Sequence, residues 1–379
     1  MGDETLYDCA IIGGGLAGLC LSIQLAKQKH QVILFEREQY PFHKVCGEYV
    51  SLESWDFLEQ LGLPLHNMNL PIIKKLIVTA PAGALLQECL PLGGFGISRY
   101  KIDNELKDIA KQQGVLVIEN CKAEEVVFTN DIFKLQTSAG EFKSKICCAG
   151  FGKRSNLDVK WKRSFIQKTN SKLNNFIAVK YHIQTSFATD TIALHNFKNG
   201  YCGISKIEDD RYCLCYLTNA ANLKKNGNSI DAMEKNILSR NPHLKNIFEH
   251  STRLYKQPLS ISQISFDQKN QVENNILMIG DAAGMITPLC GNGMSMAMHG
   301  SKIAAELINE FLKGNISRQK LEINYIQKWK STFGKRLRTG RIIQRFFGKI
   351  WVTNLFVRIM KVMPPLTRWI IRQTHGEKF

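Results

Sequence analysis

The chain has 379 residues, of which 44% are hydrophobic and 22% charged, and its formal net charge is +17. This is the composition of a normal globular protein, at a length that suits two interleaved domains. No uncharged apolar stretch reaches about 18 residues, which excludes a membrane-spanning helix, and the 11 cysteines lack the paired spacing of a zinc site. The polar start, Gly2-Asp3-Glu4, has no secretory pattern, so we expect a reduced, cytoplasmic protein.

The first 35 residues predict a β-α-β unit, with a strand over 6–12, a helix over 16–28 and a strand over 31–35. The segment Gly13-Gly14-Gly15-Leu16-Ala17-Gly18 joins the first strand to the helix. Such a segment binds a dinucleotide through its glycines and through the free N–H groups of the helix N-terminus. We expect this cofactor site to comprise Gly13, Gly15, Leu16, Ala17 and Gly18. In it Gly13 permits the tight turn, Gly15 lets the backbone approach a pyrophosphate, and Gly18 lets the helix pack closely on the strand.

Two residues at the end of the second strand complete this nucleotide site. Glu36 follows the strand at a position where a carboxylate binds both hydroxyls of a ribose, and Arg37 comes next. Glu36 would repel a 2′-phosphate, so the expected nucleotide is the ADP half of FAD or NAD.

A second glycine-rich segment lies near the other end of the chain. It reads Gly280-Asp281-Ala282-Ala283-Gly284, then Pro288, then Gly291-Asn292-Gly293-Met294. Two such segments imply a long cofactor that both ends of the chain enclose, and FAD fits this description better than NAD.

The remaining elements predict a split nucleotide-binding domain with a β-rich insertion. A polar irregular segment is expected over 37–51, and the middle of the chain has the short, turn-separated runs of an antiparallel sheet. The predicted helices are 98–113, 230–250 and 294–313, and the predicted strands are 115–118, 124–148, 176–183, 191–197, 201–207, 212–217 and 276–279.

The predicted fold class is therefore α/β with an α+β insertion. We expect three parts: a Rossmann-like FAD-binding domain, a β-rich substrate domain and a C-terminal helical segment. The two domains are discontinuous in sequence. The expected ranges are 1–70, 98–155 and 270–315 for the first, 71–97 and 156–269 for the second, and 316–379 for the third.

The second glycine-rich segment resembles the second flavin motif of the p-hydroxybenzoate hydroxylase superfamily. Within that superfamily, Lys44-Val45-Cys46-Gly47 is similar to the K-x-C-G segment of the geranylgeranyl reductase family, and Ser98-Arg99 with Asp103 matches its arginine segment. The resemblance covers roughly residues 5–310. It implies that Asp281 binds a ribityl hydroxyl and that Arg99 reaches the pyrophosphate or ribityl region.

The resemblance also implies contacts at the two rings of FAD. The backbone of Ala123 would contact adenine, and Cys46 and Gly47 would lie beside the isoalloxazine. The backbone of Gly291, Gly293 and Met294, where a helix begins, would face the pyrimidine end of that ring. The N-terminus of this helix would stabilise negative charge on the ring.

Three motifs depart from the relatives. Hydroxylases carry an Asp-Gly pair where this chain has 148–155 without an acid, which weakens the case for NAD(P)H as electron donor. The W-x-W-x-I-P signature of flavin-dependent halogenases is missing, since Trp161 stands alone, so halogenation is not expected. Gly203 stands where reductase relatives carry Trp, so the substrate pocket is expected to be reshaped.

Cys46 and Tyr201 are the catalytic candidates, with His182 and His195 as further proton donors. For each histidine the alternative is an ordinary half-buried side chain, and for Cys46 it is a buried thiol without nucleophilic reactivity.

The C-terminal segment, 331–379, carries eleven Lys or Arg residues against one acid, Glu377. Its apolar residues recur at helical spacing between the basic ones, as in a helix that lies on an anionic membrane. The alternatives are an acidic carrier protein as partner, or packing on the enzyme itself. Nucleic acid is not expected, because no nucleic-acid-binding motif accompanies the charge.

These observations favour a geranylgeranyl reductase-like enzyme that transfers hydride between FAD and an unsaturated lipid-like or carrier-bound substrate. One alternative is an FAD-dependent monooxygenase of an aromatic or polyketide substrate. Another is an electron-transfer flavoprotein bound peripherally at the inner face of the membrane.

Overall fold

The computed structural model describes residues 5–167, 175–287, 291–346, 349–374 and 376–379. Pro288 of the second glycine-rich segment and residues 347–348 of the basic segment lie outside these ranges. The strands are β1 Leu6–Ile12, β2 Val32–Phe35, β3 Tyr49–Ser51, β4 Ile72–Thr79, β5 Leu85–Gly96, β6 Leu116–Ile118, β7 Ala123–Thr129, β8 Ile132–Thr137, β9 Gly140–Ala149, β10 Phe176–Gln184, β11 Thr191–Phe197, β12 Gly200–Lys206, β13 Tyr212–Asn219, β14 Thr252–Arg253, β15 Leu259–Ile264, β16 Val272–Glu273 and β17 Ile276–Met278.

The helices follow the same chain order and include one long C-terminal helix. They are α1 Leu16–Lys27, α2 Trp55–Leu61, α3 Arg99–Gln112, α4 Asn156–Lys160, α5 Ser164–Gln167, α6 Ala220–Lys225, α7 Ile230–Asn236, α8 Pro242–Glu249, α9 Gly293–Leu312, α10 Arg318–Phe346, α11 Ile350–Val362 and α12 Pro364–Thr374. None of the helices within the described ranges is long and apolar enough to cross a membrane.

The first sheet has the order β16-β17-β9-β1-β2-β6, with β7 and β8 joined to β9 as an antiparallel extension. Strand β1 runs parallel to both β2 and β9, and β17 runs parallel to β9. The carboxyl ends of these strands therefore meet at one edge, where ligands bind in open α/β sheets. Gly13, Glu36, Gly150 and Gly280 all follow these strand ends within two residues.

The second sheet has the order β14-β10-β13-β12-β11-β4-β5-β3, with β15 paired to β10. Its pairs are antiparallel except β11 with β4. The antiparallel middle of the chain is thus confirmed, although β4 and β5 were not predicted. Lys74 and Lys75 interrupt the apolar pattern of β4, and Pro91 lies inside β5, a residue that ordinarily argues against a strand.

Side-chain alternation gives the second sheet two different faces. Val179, Tyr181 and Leu214 point to a core shared with Met233 and Leu244 of the covering helices. On the opposite face, Lys180 and His182 contact Lys44 and Glu48 of the chain between β2 and β3.

Two predictions need correction, one for a helix and one for an irregular segment. The stretch 230–250 is two helices, because Asn241 caps α8 and Pro242 occupies its first turn. The irregular segment 37–51 ends in β3, which belongs to the second sheet.

Candidate active site

The first glycine segment is packed too closely to accept side chains. Gly13 has φ +104°, and a Cβ there would lie 2.6 Å from the carbonyl oxygen of Gly150. A Cβ on Gly18 would lie 2.1 Å from the carbonyl oxygen of Gly13. Gly15 differs, because the nearest atoms to its Cβ position would be Nη2 of Arg99 at 3.6 Å and Nζ of Lys44 at 3.9 Å.

Helix α1 begins next to this open side of Gly15. Its N-cap residue is Gly15 itself, so no side chain caps the helix, and its first turn, which contains Leu16 and Ala17, holds no acidic residue. Free N–H groups and the positive end of the helix dipole therefore face the space beside Gly15. This arrangement binds phosphate groups.

Two basic side chains converge on the same space. Arg99 forms a bidentate pair with Asp103, at 2.8 Å from Nε and 2.7 Å from Nη2, and Lys44 Nζ lies 3.0 Å from the same carboxylate. Burial alone would raise the pKa of Asp103, but Arg99 and Lys44 outweigh it and hold that pKa below its ordinary value. Asp103 thus holds both cations beside the open side of Gly15.

Glu36 lies on the other side of the glycine segment, where the sequence predicts the ribose. It is buried, and its Oε2 accepts a hydrogen bond from the backbone N–H of Gly14 at 2.9 Å. Lys44 Nζ lies 3.9 Å from the same oxygen. Arg37 is exposed, and its Nε lies 3.2 Å from its neighbour Glu38, so its side chain lies at the outer rim rather than in the cleft.

Ala123 begins β7 and is buried. Its carbonyl oxygen accepts a hydrogen bond from Asn156 Nδ2 at 3.3 Å. That carbonyl therefore already has a partner, and the predicted contact of Ala123 with adenine stays a prediction.

Asp281 in the second glycine segment lies among cations. Burial raises the pKa of its carboxylate, and the charges of Lys269, Arg99 and Lys153 act in the opposite direction. No hydrogen bond from another described residue to this carboxylate is present, while its backbone carbonyl accepts one from Lys269 Nζ at 2.8 Å. An acceptor held in this way is suited to a hydroxyl group of a ligand.

The two lysines near Asp281 are themselves desolvated. Burial lowers the pKa of Lys269 to about 8 and that of Lys153 to about 8. Lys153 lies in the stretch 148–155, where hydroxylases carry their Asp-Gly pair. Neither lysine was identified from the sequence, because neither belongs to a recognisable motif.

Helix α9 begins at Gly293, at the end of the second glycine segment, and Met294 is buried in its first turn. Gly291 has φ +65°, and a Cβ there would meet the ring of Tyr49 at 3.4 Å. The first turn of α9 contains no acidic residue, and no side chain caps its N-terminus. As predicted, a helix N-terminus therefore begins at Gly293 and Met294, where it favours negative charge.

The gap between α9, α10 and the second glycine segment is narrow. It measures about 10 Å³ and is lined by Asp281, Gly293 and Trp329 among others, which is room for about one water molecule. It is a packing seam and not a substrate pocket. A second cavity of about 450 Å³, bordered by Trp55, Leu70 and Lys378, contains none of the predicted site residues.

The loop that carries Cys46 and Gly47 is held against the second sheet by hydrogen bonds from β10 and β13. Lys180 donates to the carbonyl oxygen of Lys44 at 3.1 Å, and Cys213 Sγ donates to that of Cys46 at 3.2 Å. Burial raises the pKa of the Cys46 thiol. The thiol is therefore protonated at neutral pH, which favours a packing role over nucleophilic attack.

Glu48 follows this loop and forms a buried ion cluster. Its carboxylate accepts hydrogen bonds from Lys180, from His182 Nε2 at 2.6 Å and from the backbone N–H of Arg99 at 2.8 Å. Burial alone would raise the pKa of Glu48, but His182 and Lys180 outweigh it and lower that pKa. His182 is thus a buried hydrogen-bond partner of Glu48, which favours the interpretation as an ordinary structural side chain over that as a proton donor.

Glu48, His182 and Cys213 also bring three potential metal-ligand atoms within 4.8 Å of one another. The ammonium group of Lys180 already occupies the carboxylate, and burial raises the pKa of Cys213 well above its ordinary value. A neutral thiol and a neighbouring ammonium do not suit a metal ion, so the cluster is an ion-pair network.

Tyr201 on β12 is buried and packs with Phe176, Leu217 and Phe266. Val45 of the Cys46 loop and Met285 of the second glycine segment lie against the same cluster. Tyr201 therefore shares one apolar cluster with a residue next to Cys46 and a residue next to Gly284. His195, in contrast, shares a hydrogen bond with the hydroxyl of Thr79 at 2.9 Å and stacks on the ring of His243. Burial lowers its pKa to about 3. With these partners it does not belong to the cleft.

These observations fit FAD. Gly15 offers backbone close to two cations, the N-termini of α1 and α9 are both without side-chain caps, and Asp281 has an acceptor oxygen that no described residue uses. The anionic diphosphate, the ribityl hydroxyls and the electron-rich end of the ring each have a counterpart.

Replacing Asp281 with alanine is expected to weaken FAD binding by about 10- to 100-fold, the effect of losing a hydrogen bond to a charged group. FAD titration of the apoprotein by calorimetry measures this change. Asp210→Ala is the matched control, since Asp210 pairs only with Lys206 at the exposed end of a hairpin. Equal affinities for the two variants would remove Asp281 from the site.

Two family models match parts of the chain. A NAD(P)-binding Rossmann-like domain matches residues 11–46, the stretch that contains the glycine cradle and Glu36. A model of squalene epoxidase matches residues 203–339, which includes the second glycine segment.

Curated relatives share about a quarter of the residues. Conditioned medium factor receptor 1 of Dictyostelium discoideum is 23% identical over 88% of this chain and 69% of its own length. The 1H-pyrrole-2-carbonyl-[peptidyl-carrier protein] brominase of Pseudoalteromonas luteoviolacea is 24% identical over 99% of this chain and 93% of its own length. A digeranylgeranylglycerophospholipid reductase of Methanococcus vannielii is 24% identical over 88% and 85%.

Among solved structures, the flavin-dependent brominase Bmp2 matches with a TM-score of 0.79 and 21% identity, over 98% of this chain and 93% of its own. A mutant of halogenase PltM in complex with FAD matches with a TM-score of 0.75 and 15% identity, over 97% and 82%. The chain therefore has the fold of FAD-dependent oxidoreductases, and FAD is the cofactor that these similarities support.

The expectation that the chain does not halogenate a substrate stays a prediction, because these similarities show a shared fold and not a shared reaction. Trp161 does stand alone, packed near Phe151, yet the chain shares the halogenase fold across nearly its whole length. The geranylgeranyl reductase resemblance has weaker support, since other reductases of that name match only about a fifth of the chain.

Proposed function

We propose that the protein is an FAD-dependent oxidoreductase that oxidises an organic substrate, as a monooxygenase or a halogenase does. The observation that carries the proposal is the convergence of Arg99, Lys44 and the N-terminus of α1 on Gly15. The carboxylate of Asp281, to which no described residue donates a hydrogen bond, is close enough to Arg99 for their charges to interact. The two segments then hold the two halves of one long cofactor.

Relatives favour oxidation over reduction. Halogenation and epoxidation, named for the brominase and for the epoxidase model, both oxidise an organic substrate. Neither reaction adds hydride to an alkene. Bound FAD, once reduced by an external two-electron donor, would supply chemistry with molecular oxygen as the oxidant. In oxygen insertion one oxygen atom enters the product and the other leaves as water, whereas in halogenation the halide is incorporated and both oxygen atoms leave as water.

The residues of this chain would position the cofactor and exclude water. Positive charge from Lys44, Arg99, Lys153 and Lys269 stabilises the diphosphate and the extra negative charge of a reduced ring. The Glu48–Lys180 pair holds the Cys46 loop in place. Tyr201 and its apolar neighbours keep the ring's surroundings dry.

A second candidate is the reductase reaction, supported by Lys44-Val45-Cys46-Gly47 and by the full-length reductase relative. One experiment separates the two. FAD-loaded protein, reduced chemically so that no NAD(P)H donor is assumed, is incubated with squalene, a digeranylgeranyl lipid and pyrrole-2-carbonyl carrier protein, in air and anaerobically, with and without bromide.

Mass spectrometry of the products gives the reaction class. The proposal predicts a product that has gained oxygen or bromine and that forms only in air. A product that has gained two hydrogens under anaerobic conditions would establish the reductase reaction instead. Dependence on bromide separates halogenation from oxygen insertion.

Gly203 lies on the same face of the second sheet as Lys180. Its substitution tests whether this face forms the substrate pocket. A Cβ there would come no closer than 3.6 Å to Leu194, so Gly203→Ala is expected to keep its activity. Gly203→Trp fills the space and is expected to lower kcat/KM by about tenfold or more, with FAD occupancy unchanged. Unaltered kinetics in the Trp variant would place the substrate elsewhere.

A further inference from the structure

Helix α11 is apolar on two opposite faces. Thr353, Val357 and Met360 form the inner face, and the latter two pack with Ala80 and Leu86 at the β4–β5 hairpin. This contact fixes the rotation of the helix about its axis, so that the opposite face is turned outward.

The outward face carries Trp351, Leu355, Ile359 and Val362, at the i, i+4, i+8, i+11 spacing of one helical stripe. Their exposed fractions are 71%, 51%, 37% and 76%. Trp369 on α12 is exposed as well, at 58%. Contiguous apolar surface of this kind on a globular protein marks an interaction site.

Basic residues border this apolar stripe, which comprises Trp351, Leu355, Ile359 and Val362. Lys349, Arg358 and Lys361 are exposed, and none of them forms an ion pair with another residue in the part of the chain that the structure describes. The whole segment 331–379 contains one acidic residue, Glu377. The occupant must therefore be apolar where it meets the stripe and anionic beside it.

We propose that α11 and α12 dock the protein on an anionic lipid bilayer, with α11 lying flat in the interface. The stripe runs along the whole helix and bears a tryptophan near its start, with lysine and arginine at its border, which is the pattern of an interfacial helix. A bilayer offers apolar depth and anionic headgroups along the entire length of such a stripe. The proposal is independent of the reaction that the flavin site performs.

The helix is anchored firmly enough to act as a rigid docking element. Asn354 Oδ1 accepts a hydrogen bond from the backbone N–H of Ala82 at 3.2 Å, and Thr367 donates to the carbonyl oxygen of Met360 at 2.8 Å. Arg368 lies 3.4 Å from Glu88 of β5. A docked bilayer would therefore lie beside the second sheet, which suits delivery of a lipid-like substrate.

Vesicle co-sedimentation of the full-length FAD-loaded protein tests the proposal. Vesicles of phosphatidylcholine alone are compared with vesicles that contain phosphatidylserine, at low and high salt. One variant removes the stripe (Trp351→Ser with Leu355→Ser), and one reverses the charge (Arg358→Glu with Lys361→Glu). The matched controls are Val127→Ser, an exposed apolar residue of β7, and Lys224→Glu with Lys225→Glu on α6.

We expect binding to the anionic vesicles that weakens with salt, and a loss of at least about tenfold in each of the two test variants. The controls should bind as the unmodified protein does. All the replaced side chains are exposed, so we expect each variant to fold. Thermal melting checks this. Absence of vesicle binding, equal binding by test and control variants, or binding to an acidic carrier protein in place of vesicles would overturn the proposal.

Discussion

Replacing Glu48 with alanine is expected to lower the free energy of unfolding by about 3–5 kcal/mol, the usual effect of removing one partner from a buried ion pair. Lys180 and His182 are buried and would both lose the carboxylate that accepts their hydrogen bonds. Urea unfolding at neutral pH measures the change. The exposed pair of Glu306 with Lys328, 3.7 Å apart, supplies the control Glu306→Ala, whose expected effect is within about 0.5 kcal/mol.

The same cluster predicts a pH dependence. The pKa of Glu48 is lowered in the folded protein, so its contribution to stability is present above the ordinary glutamate pKa and is lost as pH falls through the lowered value. The pKa of Lys180 is raised, mainly by Glu48 against the effect of burial, so its contribution is lost only as pH rises through that raised value. Glu48→Gln should lack the acid-side component of the stability loss.

A double variant separates the ion pair from mere packing. Glu48→Leu with Lys180→Met leaves neither charge unpaired, so it should recover part of the stability that Glu48→Ala loses. A Glu48→Ala protein as stable as the Glu306→Ala control would show that the cluster contributes nothing to the fold.

Gly15→Ala is expected to weaken FAD binding by about 100-fold while leaving the stability of the apoprotein within about 0.5 kcal/mol. Its Cβ has room in the protein, with the nearest side-chain atom at 3.6 Å, but it projects beside Arg99 and Lys44 into the space assigned to the pyrophosphate. Gly18→Ala differs, because its Cβ would lie 2.1 Å from a backbone oxygen. That variant should lose both FAD binding and about 1–3 kcal/mol of stability.

Calorimetric FAD titration and thermal melting together distinguish these two effects. Gly334→Ala in α10 is the matched control, since nothing lies within 4 Å of its Cβ position. Normal FAD affinity in Gly15→Ala would show that the pyrophosphate does not approach the backbone at this residue.

The nucleotide half of the site was predictable because its residues are close in sequence. Gly13 to Gly18 and Glu36 belong to one β-α-β unit, and hydrophobic periodicity together with glycine spacing predicts its geometry. The second segment around Asp281 is also short, and it was recognised by its resemblance to the second flavin motif of a known superfamily. Each is a short motif whose physical role does not depend on the rest of the chain.

The ion cluster was not predictable. Glu48 and Lys180 are 132 residues apart in sequence, and each one alone resembles an ordinary surface charge. Lys153 and Lys269 likewise gain their significance only when the two sheets bring them to Asp281. Helix α11 was predictable as amphipathic, but which of its apolar faces packs inward depends on the β4–β5 hairpin, which the sequence pattern did not reveal.

Chemical identification of the bound cofactor tests the central claim most directly. The purified protein is saturated with FAD, freed of excess ligand, denatured, and its released cofactor is identified and quantified by chromatography and absorbance. The account predicts one FAD per chain, and substantially less in the Gly15→Ala and Asp281→Ala variants. A protein that retains no flavin, or that retains NAD in its place, would contradict the assignment of both glycine segments to a single FAD site.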